Sequence, residues 1–264
     1  MRVATLTRYP VKSMLGQPVE QAEVTAAGLA LDRRYGLLDA ATGYVATAKH
    51  PRLWRRLLQY SAAADGDRVR VTAPDGHVRD VDDPALPAEL AADLGREVTV
   101  ADARPAGAEV ERPDPEDVLA HGVESEVAAP TLEISMGSAA DTFVDYAPVH
   151  LITTATLERL GVDPVRYRPN LVIESDTAPY EETSWVGREL TVGEVVLRVV
   201  LPTPRCSVPT LEHGDRPRAP EALRPLLTDN RVDVPGFGVL PCAGVYAEVV
   251  RGGTVRRGDT VELG

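Results

Sequence analysis

The chain reads as a mainly β fold with short helices, of the α+β kind. Three observations predict this. Apolar and polar residues alternate over short runs; turn residues (Gly, Pro, Asp, Asn) punctuate those runs; and only Leu86–Leu94 and Ala155–Leu160 carry helical spacing, each closed by a glycine. Many short strands with few helices favour barrel-like β architecture.

The elements follow in order. Arg2–Tyr9 alternates as a strand, and Val19–Val24 reads as a second. Tyr35–Leu38 and Tyr44–Thr47 flank Asp39-Ala40-Ala41-Thr42-Gly43, which predicts a hairpin. Arg68–Thr72 and His77–Val81 flank Ala73-Pro74-Asp75-Gly76, a stronger hairpin signal because Pro presets φ and Gly accepts positive φ. After the helix at Leu86–Leu94, Glu97–Ala101 returns to strand. From Asp102 to Pro130 the pattern fails: the segment is acidic and rich in Pro, and reads as a linker or a lid. The domain boundary is therefore placed near its start, giving an N-terminal unit over 1–103 and a second over 104–264. Arg112, inside the connection, is expected to be peripheral. Order resumes with strands at Pro148–Thr153, Asn170–Glu174, Glu189–Val192, Val195–Leu201, Val245–Val250 and Thr260–Leu263.

Bulk composition narrows the function. With 264 residues, 44% apolar and 26% charged, the chain is long enough for one large β domain or two modest ones. No run of about 20 apolar residues is present to span a bilayer. The start lacks the apolar core of a signal peptide, so a cytoplasmic location is expected. A net charge of −12 disfavours nucleic-acid and membrane partners, though an acidic protein can still enclose a basic pocket. Two cysteines are too few for a disulfide framework or a Cys-only iron–sulfur site, and free thiols are expected. The five histidines show no metal-ligand spacing, so zinc on Cys206 and His213 is disfavoured. There is no G-x-S-x-G, no phosphate loop and no dinucleotide fingerprint.

Four segments could carry chemistry. Tyr9-Pro10-Val11-Lys12-Ser13 offers a charge and a hydroxyl after a strand, half of an anion site, although such a pair is usually a solvated turn. Lys12 and Lys49 are the only lysines among 28 basic residues, so a lysine stands where this chain usually writes Arg. Asp32 beside Arg33 is either a surface ion pair or a phosphate clamp held in orientation by the carboxylate. Arg168-Pro169-Asn170 enters an apolar strand, either as a polar cap or as a guanidinium and an amide facing a heterocycle. Thr203-Pro204-Arg205-Cys206-Ser207 sets a cysteine beside an arginine among prolines. That context favours thiolate if the thiol is not simply buried.

In their order and spacing these segments resemble the MOSC (molybdenum cofactor sulfurase C-terminal) superfamily, in the layout with an N-terminal MOSC β-barrel domain. The mitochondrial amidoxime-reducing component and its bacterial relatives share that layout. Further matching stretches are Gly28-Leu29-Ala30-Leu31-Asp32-Arg33, Asp145-Tyr146-Ala147-Pro148-Val149, Trp185-Val186-Gly187 and Gly253-Thr254-Val255-Arg256-Arg257-Gly258-Asp259. The resemblance implies a molybdenum cofactor (Mo-molybdopterin), with Cys206 as the sulfur ligand of the metal and the catalytic residue. It also implies that Lys12, Ser13, Arg33, Arg168, Asn170 and Arg205 hold the pterin and its phosphate, with Asp145 and Tyr246 at further pocket positions. Pyridoxal phosphate is not expected. The implied activity is reduction of N-hydroxylated or N-oxide small molecules, with electrons from a separate flavin or iron–sulfur donor. The alternative is a carrier of the cofactor, or a sulfur-transfer protein using Cys206. Two departures stand out: Ala243-Gly244 precedes Tyr246 where the family often has Phe-Gly, and Ala147 replaces a polar residue of the reducing branch.

Overall fold

A computed structural model describes residues 1–264. It is mostly strand, with five short α-helices. The first half contains β1 (Arg2–Arg8), β2 (Gln17–Pro18), β3 (Gln21–Thr25), β4 (Gly28–Leu29), β5 (Gly36–Asp39), β6 (Ser61–Asp65), β7 (Arg68–Thr72), β8 (Val78–Asp80) and β9 (Val98–Ala101). Helices α1 (Pro51–Trp54) and α2 (Leu86–Leu94) lie among them. Helix α2 ends where Gly95 takes φ 70°, as the sequence predicts. The β7–β8 hairpin forms at the predicted Pro-Asp-Gly turn.

Two expectations are corrected here. The hairpin predicted across Asp39–Gly43 is only a bridge between Leu38 and Val45; the full ladder of β5 runs to β9 instead. Asp102–Pro130 is not a structureless connection. It holds β10 (Glu109–Glu111) and α3 (Pro115–His121), and β10 pairs with β11 (Thr131–Glu133). Val110 and Val118 are buried, so sparse apolar residues suffice to anchor the segment. Asp114 caps α3 by accepting from the Glu116 N–H.

The second half supplies β12 (Val149–Thr153), α4 (Thr154–Leu160), β13 (Leu171–Glu174), β14 (Glu189–Val192), β15 (Val195–Pro204), α5 (Arg224–Asp229), β16 (Arg231–Val234), β17 (Gly238–Arg251), β18 (Gly253–Arg256) and β19 (Val261–Leu263). The main sheet has the order β19-β14-β15-β17-β12-β13-β1-β2, with β16 joined to β17. All its ladders are antiparallel except β12–β13, which are joined through α4. The 14-residue β17 starts well before the predicted Val245, because Pro241, Ala243 and Gly244 hide its period.

Strands from the two halves share ladders. β1 lies beside β13, and β3 pairs with β18. The largest core joins Val3, Leu6 and Val24 to Leu151, Trp185, Val199 and Val245. A second core around Trp54, Leu57, Val71 and Leu90 lies under β5–β9. Residues of both halves, from Lys12 to Tyr246, line one cavity. No helix is long and apolar enough to cross a membrane.

Candidate functional site

The cavity wall begins where β1 ends. Tyr9 is buried, and its backbone N–H donates to Asp32 Oδ1 at 2.7 Å. Asp32 Oδ2 accepts from Arg33 Nη1 at 2.6 Å, fixing that guanidinium. Arg33 Nη2 then donates to the carbonyl of Arg168 at 3.1 Å. Both guanidinium carbons lie 4.5 Å from the Tyr9 ring centroid. Two cations thus share one aromatic ring, whose π face stabilises both. Burial, and then the charge of Arg33, lower the Arg168 pKa to about 10, and Arg168 Nη1 is buried with no partner.

A second cluster surrounds Asp145. Lys12 Nζ donates to the Phe143 carbonyl and to Asp145 Oδ1, both at 2.7 Å, and Lys49 Nζ donates to the same carboxylate oxygen at 2.9 Å. Burial lowers the Lys12 pKa to about 8, with Asp145 opposing the shift. Burial would raise the Asp145 carboxyl, but Lys12 and Lys49 together hold it well below the usual range. Ser13 faces Thr47 at 3.2 Å and accepts from the Ala48 N–H at 3.1 Å.

The thiol end is built by β15. The Arg205 N–H donates to Pro241 O at 2.8 Å, and Cys206 follows in the gap before a short 3₁₀ turn at Val208–Thr210. Arg205 Nη2 donates to the Tyr167 carbonyl at 2.9 Å, while its Nη1 lies 3.5 Å from His150 Nε2. Burial, and then the Arg205 charge, hold His150 well below its usual pKa, so the ring is neutral. Its Nδ1–H then points to the Arg168 carbonyl at 3.4 Å, and Nε2 faces Arg205 as acceptor. Asn170 Oδ1 accepts from the His150 N–H at 3.1 Å, and Nδ2 donates to Thr7 O at 3.3 Å. Its amide is thus tied to strand backbone on both sides and orients the wall.

Every residue singled out in the sequence (Lys12, Ser13, Arg33, Asp145, Arg168, Asn170, Arg205, Cys206 and Tyr246) lines this one cavity of about 1050 Å³, its open mouth included. Cys242 does not: it is fully buried in β17, and burial raises its thiol to about 12. Both cysteines are free thiols. Arg112 is a correction, since the expected peripheral arginine lines the cavity. Sequence reasoning passed over Lys49 and His150. Lys49 carried the same signal as Lys12, a lysine in an arginine-biased chain, and His150 was a polar residue in an apolar strand.

These residues fit a phosphorylated, sulfur-ligated metal cofactor. Arg168 Nη1 and Arg205 Nε are buried cationic donors without partners, suited to anion oxygens. No group of three or more His, Cys, Asp and Glu side chains gathers to hold a metal alone. A metal at Cys206 would therefore need its remaining ligands from the cofactor itself.

Comparison with known proteins agrees with this layout. The MOSC N-terminal beta barrel domain matches residues 1–111, and the MOSC domain matches residues 140–262. Mitochondrial amidoxime reducing component 2 of Homo sapiens is 27% identical over 98% of this chain and 82% of its own length. Mitochondrial amidoxime-reducing component 1 of Homo sapiens is 28% identical over 99% of this chain and 82% of its own. Among solved structures, the YuaD protein from Bacillus subtilis aligns at a TM-score of 0.44 and 10% identity, over 99% of this chain and 94% of that one.

Proposed function

The chain belongs to the MOSC family, in the form that carries the MOSC N-terminal beta barrel domain, and on that premise we propose that it is a molybdenum-cofactor-dependent reductase of N-hydroxylated small molecules. The observation that carries this reading is the convergence of a cation cluster and one cavity-lining thiol, from segments spread between Lys12 and Tyr246. The relatives named for amidoxime reduction support the substrate class.

Cys206 is assigned as the metal ligand because it lines the cavity, whereas Cys242 does not. Lys12, Arg33 and Arg168 hold the phosphate, with Asp32 fixing Arg33 and Asp145 spacing Lys12 from Lys49. Arg205 and Ser13 bind polar edges of the pterin, and Asn170 keeps the strand beneath them in place. Tyr246, 9% exposed, closes the thiol end beside Tyr146. The bound cofactor supplies two-electron oxygen-transfer chemistry. In balance, the N–O bond breaks, two electrons and two protons enter, and the amidine or amine leaves with water. With no dinucleotide fingerprint and two cysteines, the chain takes those electrons from a separate flavin or iron–sulfur protein.

The test is molybdenum content of protein made in a molybdenum-replete host, followed by benzamidoxime reduction with reduced viologen. Wild type and Cys242→Ala should retain molybdenum and turn over; Cys206→Ala should lose both. Equal molybdenum in Cys206→Ala would overturn the ligand assignment. A loaded but inert wild type would make the chain a cofactor carrier or sulfur-transfer protein.

A further inference from the structure

Besides its cations, the cavity is lined by a run of four touching rings. Phe237 and Tyr146 meet edge to face, with centroids 6.1 Å apart and planes at 79°. Tyr146 and Tyr246 lie 5.9 Å apart, and Tyr246 and His150 lie 5.7 Å apart. The run reaches the thiol segment through His150, whose Nε2 is 3.5 Å from Nη1 of Arg205, the residue before Cys206. Its other end meets solvent, since Phe237 and Tyr146 are half-buried whereas Tyr246 is buried.

Backbone fixes the outer two rings. Phe237 stands at the tip of the β16–β17 hairpin between Gly236 at φ 81° and Gly238 at φ 80°, and its N–H donates to Val234 O at 2.8 Å. A Cβ at either glycine would meet nothing within 4 Å, so both serve the turn rather than close packing. The turn lays Phe237 on Tyr146, while Val239, two residues on, stays 58% exposed. Tyr146 rests on bare backbone, because a Cβ at Gly137 would stand 2.7 Å from its Cε1. Ala147 and Leu201 extend the apolar wall: they share a cluster with Tyr246 and line the same cavity. Guanidinium stacking in this chain falls on Tyr9, Trp54 and Tyr167, not on Phe237, Tyr146 or Tyr246. Half-buried rings facing a cavity leave apolar surface in water, a cost relieved when another flat ring meets them edge to face or offset.

We propose that Phe237, Tyr146 and Tyr246 form a subsite for a flat aromatic substituent of the N-hydroxylated substrate, with Phe237 as its specificity-determining residue. This rests on the reductase reading, and the experiment separates the two. Benzamidoxime is compared with cyclohexanecarboxamidoxime, whose saturated ring has a similar size. Both are measured on molybdenum-loaded wild type, Phe237→Leu, Phe237→Tyr and Val239→Ala, by kcat/KM with reduced viologen and by calorimetric Kd. Wild type should prefer the aromatic compound about fivefold, the range set by ring–ring contact beyond area burial. Phe237→Leu keeps apolar bulk but loses the ring, and should cut that preference to about a third, through KM and Kd rather than kcat. Phe237→Tyr and Val239→Ala should keep it. No preference in wild type, or an unchanged one in Phe237→Leu, overturns the proposal. An equal fall in Val239→Ala also overturns it, since the hairpin and not the ring would then be responsible. If wild type turns over neither compound, the reductase reading fails, while the Kd ratios still decide whether the rings select an aromatic ligand.

Discussion

Of the six non-glycine residues with left-handed backbone, Ser13, Arg33 and Arg168 line the cavity. Each such residue costs about 1–2 kcal/mol, so strain is concentrated where the side chains must converge. Arg168 is the extreme case. It takes φ 55° although it precedes proline, and it buries a guanidinium that no carboxylate meets. Arg168→Gly should therefore leave the melting temperature of cofactor-free protein unchanged or higher, while lowering molybdenum occupancy several-fold. A large fall in the cofactor-free melting temperature would mean that Arg168 is chiefly structural. Lys12 gives a pH signature. Its folded pKa of about 8 lies below the ordinary 10.5, so the folded chain loses this proton first as pH rises. The unfolded chain binds more protons between those values, and this group alone makes cofactor-free protein more stable as pH climbs through that window. Phosphate binding has the opposite sign, because the neutral amine holds an anion poorly. Molybdenum retention on dialysis should fall between pH 7 and 9, and Lys12→Arg should flatten that fall.

At the scale of elements, β17 shows how backbone shapes the site. Gly244 takes φ 74°, and a Cβ there would stand 2.5 Å from Leu151 O and 2.6 Å from His150 Nε2. Gly244→Ala should destabilise the chain by roughly 2 kcal/mol or more, and should displace His150 from Arg205. Denaturant melts with an unchanged midpoint would refute that. The same strand marks the limit of what sequence reveals. Where alternation was clean and turns carried Gly or Pro, as in Arg68–Asp80, Leu86–Gly95 and Glu189–Leu201, the elements were legible. Where the strand crosses Pro241 and Gly244, period 2 is lost and tertiary pairing with β15 and β12 decides the structure. β5 pairs with the distant β9 rather than its neighbour for the same reason, and α3 rests on too few apolar residues to show a stripe. Site residues were legible where short motifs announced them, as at Lys12-Ser13 and Arg205-Cys206. Arg112 belonged to no motif, and only the β10–β11 pairing carries it to the cavity.

On the scale of the whole molecule, the two halves are sewn together. β1 contributes Val3 and Leu6 to the core of the second half, and β3 lies against β18. Calorimetry should record one cooperative unfolding transition, and a fragment ending at residue 103 should not fold, since β1 would lack β13 and β3 would lack β18. Two separated transitions would contradict this. The sheet position of β1 also governs how the chain comes off the ribosome. Arg2 pairs with Glu174, 172 residues away, and the other edge of β1 is met by Asp259 and Val261. At about 5–20 residues per second, the first strand waits roughly ten to thirty seconds for its β13 partner to be synthesised, and longer for its final neighbours. Throughout that interval β1 lacks the strands that flank most of its length in the finished sheet, so its pairing is completed only near the end of translation.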